Sequence, residues 1–279
     1  MSLPAQTLME LSRPSRRVTY ASRETMLYAL AVGMGEKELN FVYEAKLVAV
    51  PSMATVLGFD DSWLEAAGVD LRKVVHGAQN LRFLGALPPA GTVTVNFGVA
   101  GVVDKGAGRG TLIIQETRLD HAETGEALAV GRSTLFVRGE GGGGSMGLNP
   151  PTHSIPTRAP DRIVLQATAP NQALYFRLLG DFNPLHVSPE AARKAGFDRP
   201  ILHGACTYGV ACAAILRTYC DLDSTRLREL EARFVGVVVP GETLVFLLWL
   251  DGDTVSFRAI AAERGVTVLD SGRAIVLPA

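Results

Sequence analysis

An acid, an amide and an imidazole fall within six residues in Gly180-Asp181-Phe182-Asn183-Pro184-Leu185-His186, and Ile201-Leu202-His203-Gly204 follows. Asp181 and His186 are side chains able to trade protons near neutrality, and Asn183 can orient a water or a carbonyl. Pro184 fixes its own φ and pushes Asn183 out of the helical region, so the segment reads as a shaped turn. Gly204 falls at a helix start, where free N–H groups and the helix dipole favour developing negative charge and a missing Cβ admits a ligand. A matched acid–base pair is worth about 10²–10⁴-fold in rate. Asp-x-Asn-Pro alone is a common turn signature; His186 and the His-Gly helix start in register make it a candidate site.

The elements that must hold these residues are read from periodicity. Thr168 is expected to cap a helix running to about Leu179, with Pro170 in its first turn. Residues 204–219 read as a second helix, rich in Ala, Cys and Gly and apolar on most faces, hence buried. Strands are expected at 163–166, 231–239, 243–250, 255–261 and 266–276, and in the first half at 93–103, 110–119 and 127–137. A buried helix followed by antiparallel strands implies a sheet wrapped around that helix, an α+β arrangement.

The chain reads as one unit written twice. Arg82-Phe83-Leu84-Gly85 resembles Arg233-Phe234-Val235-Gly236, and Leu27-Tyr28 with Gly33 matches Leu174-Tyr175 with Gly180. Between the copies, Gly139-Glu140-Gly141-Gly142-Gly143-Gly144-Ser145 and the prolines up to Pro160 read as a linker. The expected domains are residues 1–138, a linker at 139–160, and residues 161–279. Aligning Gly33 with Gly180 sets Met34 opposite Asp181, so only the second copy carries the acid, amide and imidazole.

Bulk properties exclude several classes. With 47% hydrophobic and 20% charged residues and a net charge of −1, the chain is globular, with no basic run for nucleic acid or an anionic membrane. No apolar run reaches the roughly 18 residues that span a bilayer. Cys206, Cys212 and Cys220 crowd one helix without a CxxC pair, which reads as reduced, buried thiols. The first residues lack a leader-like apolar segment, and Val276-Leu277-Pro278-Ala279 differs from Ser-Lys-Leu, so a cytoplasmic location is expected.

Gly180-Asp181-Phe182-Asn183-Pro184-Leu185-His186, Ala195-Gly196-Phe197 and Pro200-Ile201-Leu202-His203-Gly204 together resemble the hydratase 2 motif of MaoC-like (R)-specific enoyl-CoA hydratases. Phe41-Val42-Tyr43-Glu44, Val75-His76-Gly77-Ala78-Gln79 and Val103-Asp104-Lys105-Gly106 resemble the N-terminal half of the two-repeat members of that family. The resemblance covers nearly the whole chain. It implies a double hot-dog fold and reversible hydration of trans-2-enoyl-CoA to (3R)-3-hydroxyacyl-CoA. Asp181 and His186 match the catalytic pair, Asn183 the residue that helps hold substrate or water, and Gly204 the thioester-binding amide. His76, Gly77, Lys105 and Phe234 match positions contacting CoA, with Phe182, Pro184 and Leu185 of the motif lining the substrate. By the same analogy the partner is an acyl-CoA thioester, the assembly a homodimer, and no cofactor or metal is required.

Alternatives stay open. A 3-hydroxyacyl dehydratase of fatty-acid synthesis or a steroid side-chain hydratase would keep the fold; an acyl-CoA thioesterase or a non-catalytic acyl-CoA binder would change the class. Which of Asp181 and His186 delivers the proton to C2 is also open. The degenerate first half is expected to make room for medium, long or bulky acyl groups. His203 reads as structural, and His121 and His153 as surface residues.

Overall fold

The computed structural model describes residues 4–278. Six strands come from the first half: β1 (Arg16–Tyr20), β2 (Val74–Phe83), β3 (Gly91–Asp104), β4 (Thr111–His121), β5 (Ala127–Val137) and β6 (Met146–Gly147). Five come from the second: β7 (Arg162–Ala167), β8 (Leu227–Phe234), β9 (Thr243–Asp251), β10 (Thr254–Ala261) and β11 (Val266–Val276). They form one antiparallel sheet in the order β1-β3-β4-β5-β2-β8-β11-β10-β9-β7, with β6 beside β3. The seam between halves is β2 against β8, running from Ala78 opposite Arg233 to Arg82 opposite Glu229. The two sheets thus lie edge to edge, joined by backbone hydrogen bonds.

The second-half sheet curls around the helix Gly204–Tyr219, whose residues from Cys206 to Leu216 are all buried. Strand alternation supplies the cover: Leu244, Phe246 and Leu248 of β9 are buried, while Val245 and Leu247 between them are only half covered. Each fully buried side chain of this size contributes about 1.5–3 kcal/mol. The helix also touches the first half, where a Cβ on Gly209 would run into Val32 and lie 2.8 Å from the Tyr28 hydroxyl. The glycine therefore permits the close approach. The three cysteines are free and buried, and burial pushes the thiols of Cys206 and Cys220 up to about 12 and that of Cys212 to about 11.

Several expectations need correction. Thr168 caps nothing: its hydroxyl donates to the Glu242 carbonyl (2.7 Å) and accepts from the Gly241 N–H (2.9 Å), and the helix begins later, at Gln172–Phe176, tightening into a 3-10 turn at Arg177–Leu179. The strand expected to reach Val239 ends at Phe234, where Gly236 lies tight against the Thr267 carbonyl. The Gly/Pro segment is not a free linker, because Met146–Gly147 pairs with β3 and Asp104 Oδ atoms accept the N–H groups of Gly142 and Gly144. His153 is anchored rather than on the surface, its Nε2 2.8 Å from the Ser256 hydroxyl. His121 stays in its turn, accepting N–H bonds from Glu123 and Thr124.

Among the described residues, the first half has no counterpart of the long helix. Short turns at Leu39–Val42, Pro51–Met53 and Ala54–Leu57 fill that position. Gly33 (φ +86°) and Gly180 (φ +121°) share the left-handed bend at matching points of the two copies. Beyond that bend the copies diverge. Met34 is buried, and Arg217 from the long helix donates to the Gly33 carbonyl (2.7 Å), Glu38 (2.8 Å) and Gln166 (2.7 Å). An ion-pair staple occupies the place where the second copy carries its candidate chemistry.

Gly209→Ala should lower stability by about 1–3 kcal/mol through overpacking against Val32 and Tyr28. Chemical denaturation with an unchanged midpoint would contradict the close packing described.

Candidate active site

Gly180 ends the 3-10 turn in a conformation that side chains resist, which turns the chain outward at Asp181. Two side-chain caps then coil it: Asp181 Oδ1 accepts the N–H of Asn183 (3.1 Å), and Asn183 Oδ1 accepts the N–H of Leu185 (3.0 Å). Pro184 starts the 3-10 turn Pro184–His186, which carries the buried His186 back toward Asp181. The oxygen of Asn183 thus accepts one bond within the turn, while its Nδ2 group still has two N–H donors to offer a water or a carbonyl.

His186 Nδ1 lies 2.8 Å from the carbonyl oxygen of Ile201. A carbonyl only accepts, so Nδ1 carries the proton and Nε2 keeps its lone pair. Nε2 faces Asp181 Oδ2 at 4.0 Å. That spacing is too long for a direct hydrogen bond and short enough for one oxygen to reach both atoms. Burial holds His186 below its usual imidazole range, only partly offset by the Ile201 bond and the Asp181 charge, so it is neutral at pH 7. A buried, neutral base with a fixed tautomer therefore stands beside a carboxyl group.

His203 is part of this centre, contrary to its structural reading. Its Nε2 lies 3.3 Å from the Asp181 carbonyl, so it donates there. Its ring stacks on His186 with centroids 3.7 Å apart and is covered behind by Phe176 at 5.0 Å. Burial and, next, the neighbouring His186 push its pKa down to about 3. Asp181, His186 and His203 could each offer an atom to a metal, and these atoms lie within 4.8 Å of one another. Zinc bonds of about 2.0–2.2 Å set ligands no more than about 4.4 Å apart, so the trio would have to contract to hold one.

The corner at Gly204 is built by both halves. Gly204 follows His203 at the helix start, and a Cβ there would meet the Phe234 ring at 3.4 Å. Phe234 packs in turn on His76 of β2, with centroids 4.6 Å apart. The β2–β5 register slips between His76 and Ala78, so Gly77 is the irregular residue beside His76. Burial pushes the His76 pKa down to about 4, and the Asp181 charge acts on it, which ties the first half to the candidate pair.

Other expected positions lie apart. His76 is opposite Leu135, Leu135 opposite Ile113, and Ile113 opposite Val102. Lys105, exposed on the β3–β4 hairpin, therefore belongs to a strand about 14 Å from His76 at ~4.8 Å per step. Phe182 and Pro184 are exposed and Leu185 is half-buried, lining the rim of the loop. The sequence reading passed over Arg177, whose guanidinium lies 5.1 Å from the Phe182 ring and whose buried Nε has no partner among the described residues. The Arg-x-x-Gly-Asp spacing was the available signal.

Residues 18–139 match the MFE-2 hydratase 2 N-terminal domain and residues 151–271 the MaoC like domain. The chain is 35% identical to the probable enoyl-CoA hydratase 2 of Dictyostelium discoideum, over 92% of this chain and 90% of that one. The chain belongs to the MaoC-like hydratase 2 family. The peroxisomal enoyl-CoA hydratase 2 of Arabidopsis thaliana is 36% identical over the same shares. A MaoC-like dehydratase from Phytophthora capsici superposes with a TM-score of 0.90 at 31% identity, covering 98% of this chain and 99% of its own. A Mycobacterium tuberculosis protein described as having a double hotdog fold superposes at a TM-score of 0.61 and 15% identity over 98% of each chain, which gives this hydratase 2 family member that fold.

The half-buried His76 and the buried His186 and His203 also set a pH dependence. His76, His186 and His203 are all depressed by burial, so the unfolded chain takes up protons below about 6.5 that the folded chain refuses. Stability is full above that pH and falls as pH drops, the His76 and His203 contributions levelling off near 4 and 3. Thermal melts should hold a level Tm above about pH 6.5 and decline steadily from there to pH 5; a constant Tm across that lower range would contradict the neutral folded state.

Proposed function

We propose that this protein is a hydro-lyase that reversibly hydrates trans-2-enoyl-CoA to (3R)-3-hydroxyacyl-CoA, with Asp181, His186 and Gly204 as its catalytic groups. The observation that carries the reading is the 4.0 Å gap between His186 Nε2 and Asp181 Oδ2, with the Ile201 carbonyl holding the His186 proton on the far nitrogen. A water in that gap can lose a proton to the pair as its oxygen bonds to C3 of the enoyl group. The proton then goes to C2, so that H and OH add across one double bond. The pair is regenerated, and negative charge passes transiently onto the thioester oxygen. The Gly204 N–H at the start of the long helix is suited to that charge by dipole and by close approach.

The substrate corner rests on the same groups. His76, Gly77 and Phe234 flank Gly204 and are read as contacts of the CoA thioester, and Phe182, Pro184 and Leu185 as the rim over which it enters. Lys105 is the weakest of the expected CoA contacts because of its distance along the sheet. No cofactor enters the reaction as written. The family likeness supports a thioester substrate; the cytoplasm and a homodimer remain part of the proposal. Three free buried thiols support the first, and the exposed Ile163 and Leu165 on edge strand β7 the second. Among the described residues, no helix is long and apolar enough to cross a membrane.

The test is loss of enoyl absorbance with crotonyl-, decenoyl- and hexadecenoyl-CoA, coupled to an (R)-specific dehydrogenase. Asp181→Asn should reduce kcat by about 10²-fold or more. Release of free CoA thiol without hydration would overturn the reading in favour of a thioesterase. Gly204→Ala keeps the backbone N–H and adds only a Cβ at contact distance from Phe234, so it should fold normally and lower turnover by holding the thioester away from the amide. Unchanged turnover would show that the thioester does not need the close approach that glycine allows at this position.

A further inference from the structure

We propose that His203 is the positioning residue of the Asp181–His186 pair, one ring that fixes the carboxyl, the imidazole and the Gly204 amide relative to one another. The proposal rests on the hydratase reading above and extends it to a residue that takes no part in the proton transfers.

Three contacts converge on this ring. It donates from Nε2 to the Asp181 carbonyl at 3.3 Å, at the residue that carries the carboxyl. It stacks on His186 at 3.7 Å with an interplanar angle of 26°, which restrains rotation of the neighbouring imidazole. It immediately precedes Gly204, so any shift of its backbone shifts the amide at the helix start. Phe176, at 5.0 Å on the far side, keeps the ring from retreating.

A histidine serving packing alone would be expected to satisfy both nitrogens. Here the donation to Asp181 leaves Nδ1 as a lone pair, buried and without a partner among the described residues. An unpartnered buried acceptor is unfavourable, and it is retained here at a residue in contact with Asp181, His186 and the start of the long helix. His186 has only one other anchor, the Ile201 carbonyl, and a single hydrogen bond does not fix the plane of a ring. The charged groups that act on the two imidazoles are Asp181 on His186 and Arg177 on His203. Neither of them offers His203 a second bond, so its role lies in geometry.

Two variants separate the parts of this role. His203→Phe keeps an aromatic face against His186 and loses the donor; His203→Gln keeps a donor for the Asp181 carbonyl and loses the stacked ring. Misplacing reacting groups by about 1 Å costs up to ~10²-fold, so His203→Phe should lower kcat by roughly 10–100-fold with KM for decenoyl-CoA changed less than about threefold. His203→Gln should recover part of that loss, and both should keep their circular dichroism. Wild-type kcat in His203→Phe would overturn the proposal, as would equal losses in both variants with KM raised in step. If neither variant folds, histidine ¹⁵N NMR of the wild type decides. His203 should show the Nε2–H tautomer and no titration between pH 5 and 8, while an Nδ1–H tautomer or a midpoint near 6.5 would overturn the link. A wild type that hydrates no enoyl-CoA would sink the hydratase reading and leave the NMR result standing on its own.

Discussion

The constraint on which this structure turns is a helix with no polar face. From Cys206 to Leu216 each residue of the long helix is buried, so every direction around it must be covered by apolar surface. One curled sheet covers one side. The remaining side is closed by the first copy, through Tyr28 and Val32 at Gly209 and through the Ala31 carbonyl, which accepts from the Cys206 thiol at 3.2 Å. The need to cover that helix holds the two copies together, and the β2–β8 seam aligns them. The position of the helix start follows, and with it the meeting of Gly204, Phe234 and His76.

The asymmetry between copies has an equally local cause. Both chains bend at a glycine with positive φ, and what comes next decides their fate. In the second copy an aspartate, an asparagine and a proline coil the chain through two side-chain caps and bring back a histidine. In the first, a buried methionine follows, and Arg217 ties the bend to Glu38 and Gln166. Arg217 belongs to the long helix of the second copy, so the element that carries the candidate site at one end seals the matching bend of the first copy near the other.

Much of this was legible in the chain. The 204–219 helix and the strand 266–276 have strong periodicity and clear stops, and they sit where the pattern set them. The Thr168 cap failed because a threonine can satisfy its hydroxyl across space, here at Glu242 and Gly241, a partner that local sequence does not display. The Gly/Pro stretch looked like a linker because its hydrogen bonds go to Asp104 and β3, far away in sequence. At the site, residue types identified Asp181 and His186, but tautomer and spacing depend on the Ile201 carbonyl, a backbone atom with no signature of its own. His203 was underrated for a similar reason: its partners are a ring from another turn and a carbonyl. Lys105 shows what residue matching leaves out, since its hairpin lies three strand steps from His76 along the sheet, a separation that only the ladder order reveals.

The antiparallel seam of β2 and β8 has a consequence for how the enzyme responds to dilution. His76 and Phe234 come from different copies, and in a protein assembled from two separate hot-dog chains such a corner would dissolve as the subunits parted. Here both copies share one backbone, which makes their association intramolecular, with an effective concentration set by the connecting segment rather than by the amount of protein. That segment is itself pinned at Asp104, β3 and Ser256. The corner between the copies therefore persists at any protein concentration at which the chain is folded. Each copy is also free to change without its twin changing too, so one can specialise in chemistry while the other becomes wall and scaffold.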